Sequence, residues 1–303
     1  MTRVAAIDCG TNSIRLLVTD IADGRQNDLH REMRVVRLGQ GVDRTGRLAP
    51  EAIERTRSAL VDYAATCREL AAEKVRMVAT SASRDADNGE DFRAVVVDVL
   101  GAEPEVISGD EEAALSFGGA TRTLDPHDGP FLVMDIGGGS TELVLGTAHV
   151  TAARSVDVGC VRLTERHLID DPPTEQQVAA AERDIDAAID QARAVVPLED
   201  ARTAVGLAGS VTTVAALSLG LSSYDRDRIH LSRLTAADIE KVTSDVLAMT
   251  RADRAALPVM HPGRIDVIGA GALILRTLVR RLDLGEVLVS EADILDGIAW
   301  SIA

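Results

Sequence analysis

The chain has 303 residues, which predicts about two domains, and its 32 Lys and Arg against 48 Asp and Glu leave a net charge of −16. An acidic protein repels nucleic acid, and an aromatic content of 2% leaves few rings for base stacking, so we expect no nucleic-acid partner. Three separated cysteines, no signal peptide and no apolar run of about 18 residues predict a cytoplasmic protein without a disulfide framework, a structural zinc site or a membrane partner.

Strands and helices alternate along the chain, which is typical of an α/β fold. In the first half the patterns predict a strand–turn–strand hairpin over 4–18, a strand over 28–38, a helix over 50–72, a strand over 75–80, a helix over 91–100, a strand over 105–107 and a helix over 109–120. In the second half they predict a hairpin over 131–145, a strand over 150–156, helices over 162–168 and 174–195, a strand over 204–207 followed by a helix, helices over 235–249 and 264–282, a strand over 286–289 and a helix over 291–302. Thr174 and Thr235 are the predicted N-caps of their helices.

The two hairpins form an internal repeat. Asp8 aligns with Asp135, and each Asp ends an apolar strand just before a turn of small residues, 127 positions apart. Matched strands and turns at this spacing predict two duplicated α/β domains with a ligand-binding cleft between them. The alternative is two unrelated hairpins that share turn chemistry.

The turns of both hairpins are candidate phosphate-binding loops. In the second turn, Gly137, Gly138 and Gly139 let the backbone approach a ligand closely, and Ser140 and Thr141 add hydroxyl donors. Backbone N–H groups in such turns can form a concavity that binds anions. The alternative is a flexible turn without a ligand.

The carboxylates at the ends of the two strands are candidate metal ligands. Asp8 and Asp135 offer the oxygen ligands that Mg²⁺ prefers, and the ion would neutralise phosphate charge. Alternatively, each side chain bonds its own loop in an Asx-turn.

Three further residues could act on a phosphate group. Arg15 follows the first turn, and Arg84 follows the strand over 75–80; either guanidinium could bind phosphate or point to water. Ser108 and Glu111 have the spacing of a capping box, which leaves Glu112 as a candidate general base or as part of a solvated helix face.

Several common catalytic motifs are absent. The chain has no GxxxxGK[ST], no dinucleotide-binding GxGxxG, no HExxH and no GxSxG. P-loop, Rossmann, zincin and nucleophile-elbow chemistries are therefore excluded.

Around the candidate loops, carboxylates and arginines, the chain resembles the exopolyphosphatase and guanosine pentaphosphate phosphohydrolase family. The motifs that carry the resemblance are AAIDCGTNSIRLL, ATSASRDA, ISGDEEAAL, MDIGGGSTEL, VDVGCVRLTE, GLAGSVTT and DGIAWS. The resemblance implies a phosphate-binding loop at Gly10, Thr11, Asn12 and Ser13, and a second at positions 137–141. It also implies that Arg15 and Arg84 bind phosphate, with Arg264 as a further candidate, that Glu112 is the catalytic base, and that Asp135 and Glu142 hold Mg²⁺.

The resemblance also implies a fold and an activity. The fold would be two ribonuclease-H-like domains of the actin, heat-shock ATPase and sugar-kinase superfamily, formed by 1–121 with 290–303 and by 122–289. The activity would be hydrolysis of the terminal phosphoanhydride of inorganic polyphosphate with Mg²⁺, or another divalent cation such as Mn²⁺, in a homodimer. Guanosine pentaphosphate as substrate, a kinase or ATPase of the same superfamily, and a binding protein without turnover remain as alternatives.

Overall fold

The structure is a computed structural model that describes all 303 residues. The chain separates into two compact units, Met1–Gly119 with Ile294–Ala303, and Ala120–Asp293. None of its helices combines the length and the apolar character that a membrane span requires.

The first unit is a five-stranded sheet with helices. Its elements are β1 (Thr2–Cys9), β2 (Ser13–Ala22), β3 (Arg25–Val35), α1 (Val42–Thr45), α2 (Pro50–Glu69), β4 (Lys74–Ala79), α3 (Ser81–Asp85), α4 (Gly89–Leu100), β5 (Glu105–Val106), α5 (Gly109–Thr121) and, from the C-terminus, the last helix, α13 (Ile294–Ser301). The strand order is β3-β2-β1-β4-β5, with β1, β2 and β3 antiparallel and β4 and β5 parallel to β1.

Apolar side chains explain where this sheet is buried. β1 is a continuous apolar run that is covered on both faces, as a central strand of a mixed sheet requires. On one face α2 buries Leu60 and Tyr63, and the Tyr63 hydroxyl donates a hydrogen bond to the carbonyl of Ile14 at 3.1 Å. On the other face α13 packs Leu295 and Ile298 against β1.

The second unit is a six-stranded sheet with helices. Its elements are β6 (Phe131–Ile136), β7 (Thr141–Gly146), β8 (Val150–Val156), α6 (Cys160–Arg166), α7 (Glu175–Arg193), β9 (Thr203–Leu207), α8 (Ala208–Ser218), α9 (Arg226–Ile229), β10 (Arg233–Thr235), α10 (Ala236–Ala248), α11 (Arg251–Ala255), α12 (Ile268–Arg281) and β11 (Glu286–Val289). Short 3₁₀ turns occupy Pro126–Asp128, Leu198–Asp200 and Pro262–Arg264.

The second sheet repeats the topology of the first. Its order is β10-β11-β9-β6-β7-β8, with an antiparallel meander of β6, β7 and β8 and with β9 parallel to β6. Each unit therefore places a strand–turn–strand hairpin beside a parallel strand, which is the ribonuclease-H-like arrangement. The predicted fold class, α/β with two ribonuclease-H-like units, is confirmed.

Several predicted boundaries differ from the observed ones. The strand predicted over 28–38 ends at Val35, because the N–H groups of Val36 and Arg37 turn to the carbonyl of Asn12. The helix predicted over 264–282 begins at Ile268, after a 3₁₀ turn at Pro262–Arg264. The helix predicted over 291–302 spans Ile294–Ser301, since residues 290–292 form a turn closed by the Ser290 hydroxyl.

The two predicted threonine caps are confirmed. The side chain of Thr174 accepts a hydrogen bond from the N–H of Gln177, and that of Thr235 accepts one from the N–H of Asp238. Both caps are complete capping boxes, because the side chains of Gln177 and Asp238 bond back to the N-cap backbone.

Candidate active site

The first candidate phosphate loop, Gly10–Ser13, connects β1 to β2. The N–H of Gly10 donates to the carbonyl of Ser13 at 3.0 Å and closes the turn. The Thr11 hydroxyl is 2.8 Å from the hydroxyl of Ser81, the first residue of α3. The Oδ1 atom of Asn12 is buried without a hydrogen-bond partner, so the loop presents an oxygen that no protein group satisfies.

Asp8 and Arg15 flank this loop as a cross-strand ion pair. They lie opposite each other on β1 and β2, and Nε and Nη2 of Arg15 donate to Oδ2 of Asp8 at 3.0 and 2.6 Å. The carboxylate is buried and the guanidinium is partly exposed. A charge-assisted pair of this geometry holds Arg15 beside the loop and offsets the charge of Asp8.

The second candidate phosphate loop, at positions 137–141, connects β6 to β7 and closes in the same way. The N–H of Gly137 donates to the carbonyl of Ser140 at 3.0 Å. Thr141 is buried, and its hydroxyl donates to the carbonyl of Val158 at 2.6 Å. The proton of this hydroxyl is therefore engaged in fixing the loop to the chain that follows β8.

Two carboxylates stand side by side next to the second loop. Asp135 on β6 lies opposite Glu142 on β7, so both side chains project from the same face, and they are 7% and 1% exposed. The Ser155 hydroxyl donates to Oε1 of Glu142 at 2.7 Å. In the first unit, Asp8 faces an arginine at the corresponding place, so only the second hairpin concentrates negative charge.

The donor set around Asp135 and Glu142 fits Mg²⁺. Two adjacent carboxylates are hard oxygen ligands, and Mg²⁺ usually takes one or two of them together with waters and substrate phosphates. The structure contains no group of three or more His, Cys, Asp or Glu side chains arranged to hold a metal ion, so these two carboxylates would be the protein's main share of the coordination. The predicted metal role of Asp8 stays a prediction.

Glu112 and Arg84 are brought together in the first unit. Nη1 of Arg84 donates to Oε2 of Glu112 at 3.2 Å and to the carbonyl of Ile107 at 2.9 Å. Glu112 lies in the first turn of α5 and is 7% exposed, so it does not belong to a solvated helix face. The neighbouring Glu111 is exposed, and its carboxylate pairs with Arg76 at 2.7 Å.

The capping box predicted at the start of α5 is only half formed. The N–H of Glu111 donates to the Ser108 hydroxyl at 3.2 Å, which is the expected cap. The reciprocal bond, from the N–H of Ser108 to the Glu111 carboxylate, is not formed. That carboxylate pairs with Arg76 instead.

The sheet explains why the candidates of the first unit gather. The N–H of Thr80 donates to the carbonyl of Cys9, so the chain after β4 passes beside the first loop. From there α3 carries Arg84, and the N–H of Ile107 bonds Ala79 just before α5 carries Glu112. The carboxyl ends of neighbouring parallel strands meet at one edge of a sheet. Ligand-binding residues of α/β proteins commonly lie at this edge.

Arg264 docks onto the start of α8 in the second unit. Its Nη1 donates to the carbonyl of Gly209 and, at 3.1 Å, to the hydroxyl of Thr213. A Cβ on Gly209 would stand 2.0 Å from Cζ of Arg264, so an alanine at this position would displace the guanidinium. Ala208, just before it, has a φ of +68°, which makes the turn from β9 into α8 a strained one.

A partly buried polar cluster adjoins this turn. The Tyr224 hydroxyl contacts the Thr212 hydroxyl at 2.8 Å and the Glu291 carboxylate. Burial raises the pKa of Glu291 above its ordinary value, and the hydrogen bond from Tyr224 opposes that shift. Sequence reasoning missed this cluster because its members are up to 79 residues apart.

Sequence reasoning also left two close neighbours of the loops without a role. Ser81 contacts the first loop, and Arg162 contacts the second through a 2.8 Å bond from its Nε to the carbonyl of Gly139. Both lie in segments that carry the family resemblance, ATSASRDA and VDVGCVRLTE, but a motif does not show which of its members touches a loop.

Known proteins resemble this chain over its full length. Exopolyphosphatase 2 of Mycobacterium tuberculosis is 55% identical over 316 residues, which cover 100% of this chain and 99% of the relative. A crystal structure described as an exopolyphosphatase-like protein superposes with a TM-score of 0.96 at 43% identity, covering 99% of this chain and 98% of the other. A guanosine-5'-triphosphate,3'-diphosphate pyrophosphatase of Vibrio atlanticus is 30% identical over 98% of this chain and 59% of the relative.

Residues 17–303 match the Ppx/GppA phosphatase family. The chain therefore belongs to the Ppx/GppA phosphatase family.

Proposed function

We propose that this protein is an exopolyphosphatase that hydrolyses the terminal phosphoanhydride of inorganic polyphosphate and releases orthophosphate. The observation that carries the proposal is the pairing of Arg84 with the buried Glu112, because a guanidinium group is a common phosphate ligand and a carboxylate is a common general base. The 55% identity to a protein named Exopolyphosphatase 2 supports this substrate.

In this mechanism the chain's own groups bind phosphate and activate water. Backbone N–H groups of the candidate loops are donors for phosphate oxygens, and so are the guanidinium groups of Arg15 and Arg84. Glu112 accepts a proton from the attacking water, whose oxygen bonds to the terminal phosphorus while the bridging P–O bond breaks. No protein nucleophile is needed, because phosphoryl transfer depends on positioning and on stabilising charge.

Asp135 and Glu142 would hold Mg²⁺. When bound, Mg²⁺ would neutralise charge on the phosphate oxygens. The buried cross-strand pair of carboxylates supports this role, because two adjacent carboxylates supply the hard oxygen ligands that Mg²⁺ takes.

Guanosine pentaphosphate is a second candidate substrate. The Vibrio atlanticus relative, whose name states an action on guanosine-5'-triphosphate,3'-diphosphate, favours it. The same loops, Mg²⁺ ligands and general base would act on it, because the bond to be cleaved is again a terminal phosphoanhydride.

One experiment compares both substrates. Phosphate release is measured from polyphosphate and from guanosine pentaphosphate, each with Mg²⁺ and with the cation chelated. We expect Mg²⁺-dependent release with the higher kcat/KM on polyphosphate. A higher kcat/KM on guanosine pentaphosphate would assign the second substrate, and no release from either would refute hydrolysis. Release that persists undiminished under chelation would remove Mg²⁺ from the mechanism.

A further inference from the structure

The chain after β8 bonds to every carbonyl of the three-glycine turn. We call this stretch, Gly159–Arg162, the backing segment. The N–H of Cys160 donates to Gly137 O at 2.9 Å, and the N–H of Val161 donates to Gly138 O at 2.9 Å. The N–H of Arg162 also donates to Gly138 O at 3.2 Å, and its side-chain Nε donates to Gly139 O at 2.8 Å.

These bonds decide where the N–H groups of the loop point. Across a planar trans peptide, the C=O of one residue and the N–H of the next point in opposite directions. With the carbonyls of Gly137, Gly138 and Gly139 all turned to the backing segment, the N–H groups of Gly138, Gly139 and Ser140 face the other way. None of these three N–H groups donates a hydrogen bond to another protein group. Successive N–H groups on one side form a concavity for an anion.

The backing segment lies as close to the loop as backbones can approach. A Cβ on Gly159 would stand 2.4 Å from the carbonyl carbon and oxygen of Gly138. Gly159 has φ −147° and ψ 163°, an extended conformation open to any residue, so the glycine is required by this close approach and not by its dihedral angles.

In the first unit, too, the chain that follows the hairpin donates hydrogen bonds to the loop carbonyls. After β3, the N–H of Arg37 donates to Asn12 O at 2.8 Å and the N–H of Gly39 donates to Thr11 O at 2.9 Å. A Cβ on Gly39 would stand 2.3 Å from Cγ2 of Thr11. In both units, therefore, a following segment hydrogen-bonds the carbonyls of the candidate phosphate loop. In both, a glycine of that segment lies where the segment comes closest to the loop.

We propose that Arg162 is a positioning residue for the second phosphate loop. Its Nε–H holds the Gly139–Ser140 peptide in the orientation that turns the Ser140 N–H toward bound phosphate. The carbonyls of Gly137 and Gly138 accept from backbone N–H groups, so among the bonds to the three glycine carbonyls only the Arg162 side-chain bond to Gly139 can be removed by a side-chain substitution. The kinetic part of this inference rests on the proposed function, whereas the orientation of the loop does not.

A pair of isosteric variants isolates this hydrogen bond. In Arg162→Gln the Nε2 atom takes the place of the arginine Nε and can donate, whereas in Arg162→Met a methyl group takes the same place and cannot. Both variants lose the positive charge. The matched control is Arg166→Met on the same helix, because Arg166 pairs with Asp184 on α7 at 2.9 Å.

Three quantities are measured for each variant: the Tm, the hydrogen exchange of the Cys160 and Val161 amides, which donate to the loop carbonyls of Gly137 and Gly138, and kcat/KM for phosphate release from polyphosphate. We expect Arg162→Met to speed exchange of the Cys160 and Val161 amides and to lower kcat/KM by about 10- to 100-fold, the effect of misplacing one stabilising donor. We expect Arg162→Gln to stay within about fivefold of the wild type and Arg166→Met to match it, with similar Tm values for all.

Equal losses in Arg162→Gln and Arg162→Met would overturn the proposal, because the charge and not the hydrogen bond would then be the cause. Wild-type exchange and kinetics in Arg162→Met would overturn it as well. If the wild type releases no phosphate from polyphosphate, the proposed function fails, and the exchange of the Cys160 and Val161 amides still decides whether Arg162 orients the loop.

Discussion

Replacing Gly159 with alanine perturbs the second candidate phosphate loop without removing any polar group. The added Cβ would stand 2.4 Å from two backbone atoms of Gly138, whereas ordinary van der Waals contact begins at 3.4 Å. Either the loop or the backing segment must therefore move by about 1 Å. No side chain can rotate away to relieve the clash, because both atoms belong to the main chain. The alanine itself is unstrained at the dihedral angles of Gly159.

We expect Gly159→Ala to lower kcat/KM for polyphosphate by about 10²-fold, the typical effect of a 1 Å misplacement. Overpacking should cost about 1–3 kcal/mol in the free energy of unfolding, which chemical denaturation measures. The control is Gly285→Ala in the same unit, where no atom lies within 4 Å of the added Cβ. Wild-type kinetics in Gly159→Ala would refute the argument that the close approach of Gly159 sets the position of the loop.

The remaining predictions concern charges. Arg84→Met should raise KM for polyphosphate at least about tenfold, because a charged hydrogen bond to phosphate is lost; an unchanged KM would show that Arg84 does not bind substrate. Asp135→Asn and Glu142→Gln should each raise the Mg²⁺ concentration for half-maximal rate at least about tenfold, and an unchanged Mg²⁺ titration would place the ion elsewhere. Glu291→Gln should have a higher Tm than the wild type at pH 7, with the gap closing as the pH falls toward 4.5. Burial raises the pKa of Glu291 in the folded state, so stability is lost as that carboxyl ionises, and a gap independent of pH would contradict this.

Local chemistry explains what could be predicted from the sequence. The hairpins that carry Asp8 and Asp135 were predicted because apolar strands and turns of small residues are local patterns, repeated in both halves. The caps at Thr174 and Thr235 depend on residues only three positions away. The start of α12 was predicted too early, since an apolar pattern does not distinguish the 3₁₀ turn at Pro262–Arg264 from the first turn of an α-helix.

The contacts of the candidate site depend on partners that are distant in the chain. Glu112 and Arg84 are 28 residues apart, and their pairing follows from β4 and β5 lying side by side. The bond of Arg162 to Gly139 spans 23 residues and depends on the turn that follows β8. A pattern in one sequence names such residues as candidates, but only the fold shows which of them meet.

The role of Glu112 as the base is tested most directly by comparing Glu112→Gln with Glu111→Gln. The two positions are neighbours in α5, but only Glu112 is buried against Arg84, whereas Glu111 is exposed and pairs with Arg76. We measure kcat for phosphate release from polyphosphate, with KM as the check that substrate still binds. Glu112→Gln should lose about 10²–10⁴-fold in kcat while Glu111→Gln keeps the wild-type value. A kcat for Glu112→Gln within a few-fold of the wild type would contradict the mechanism.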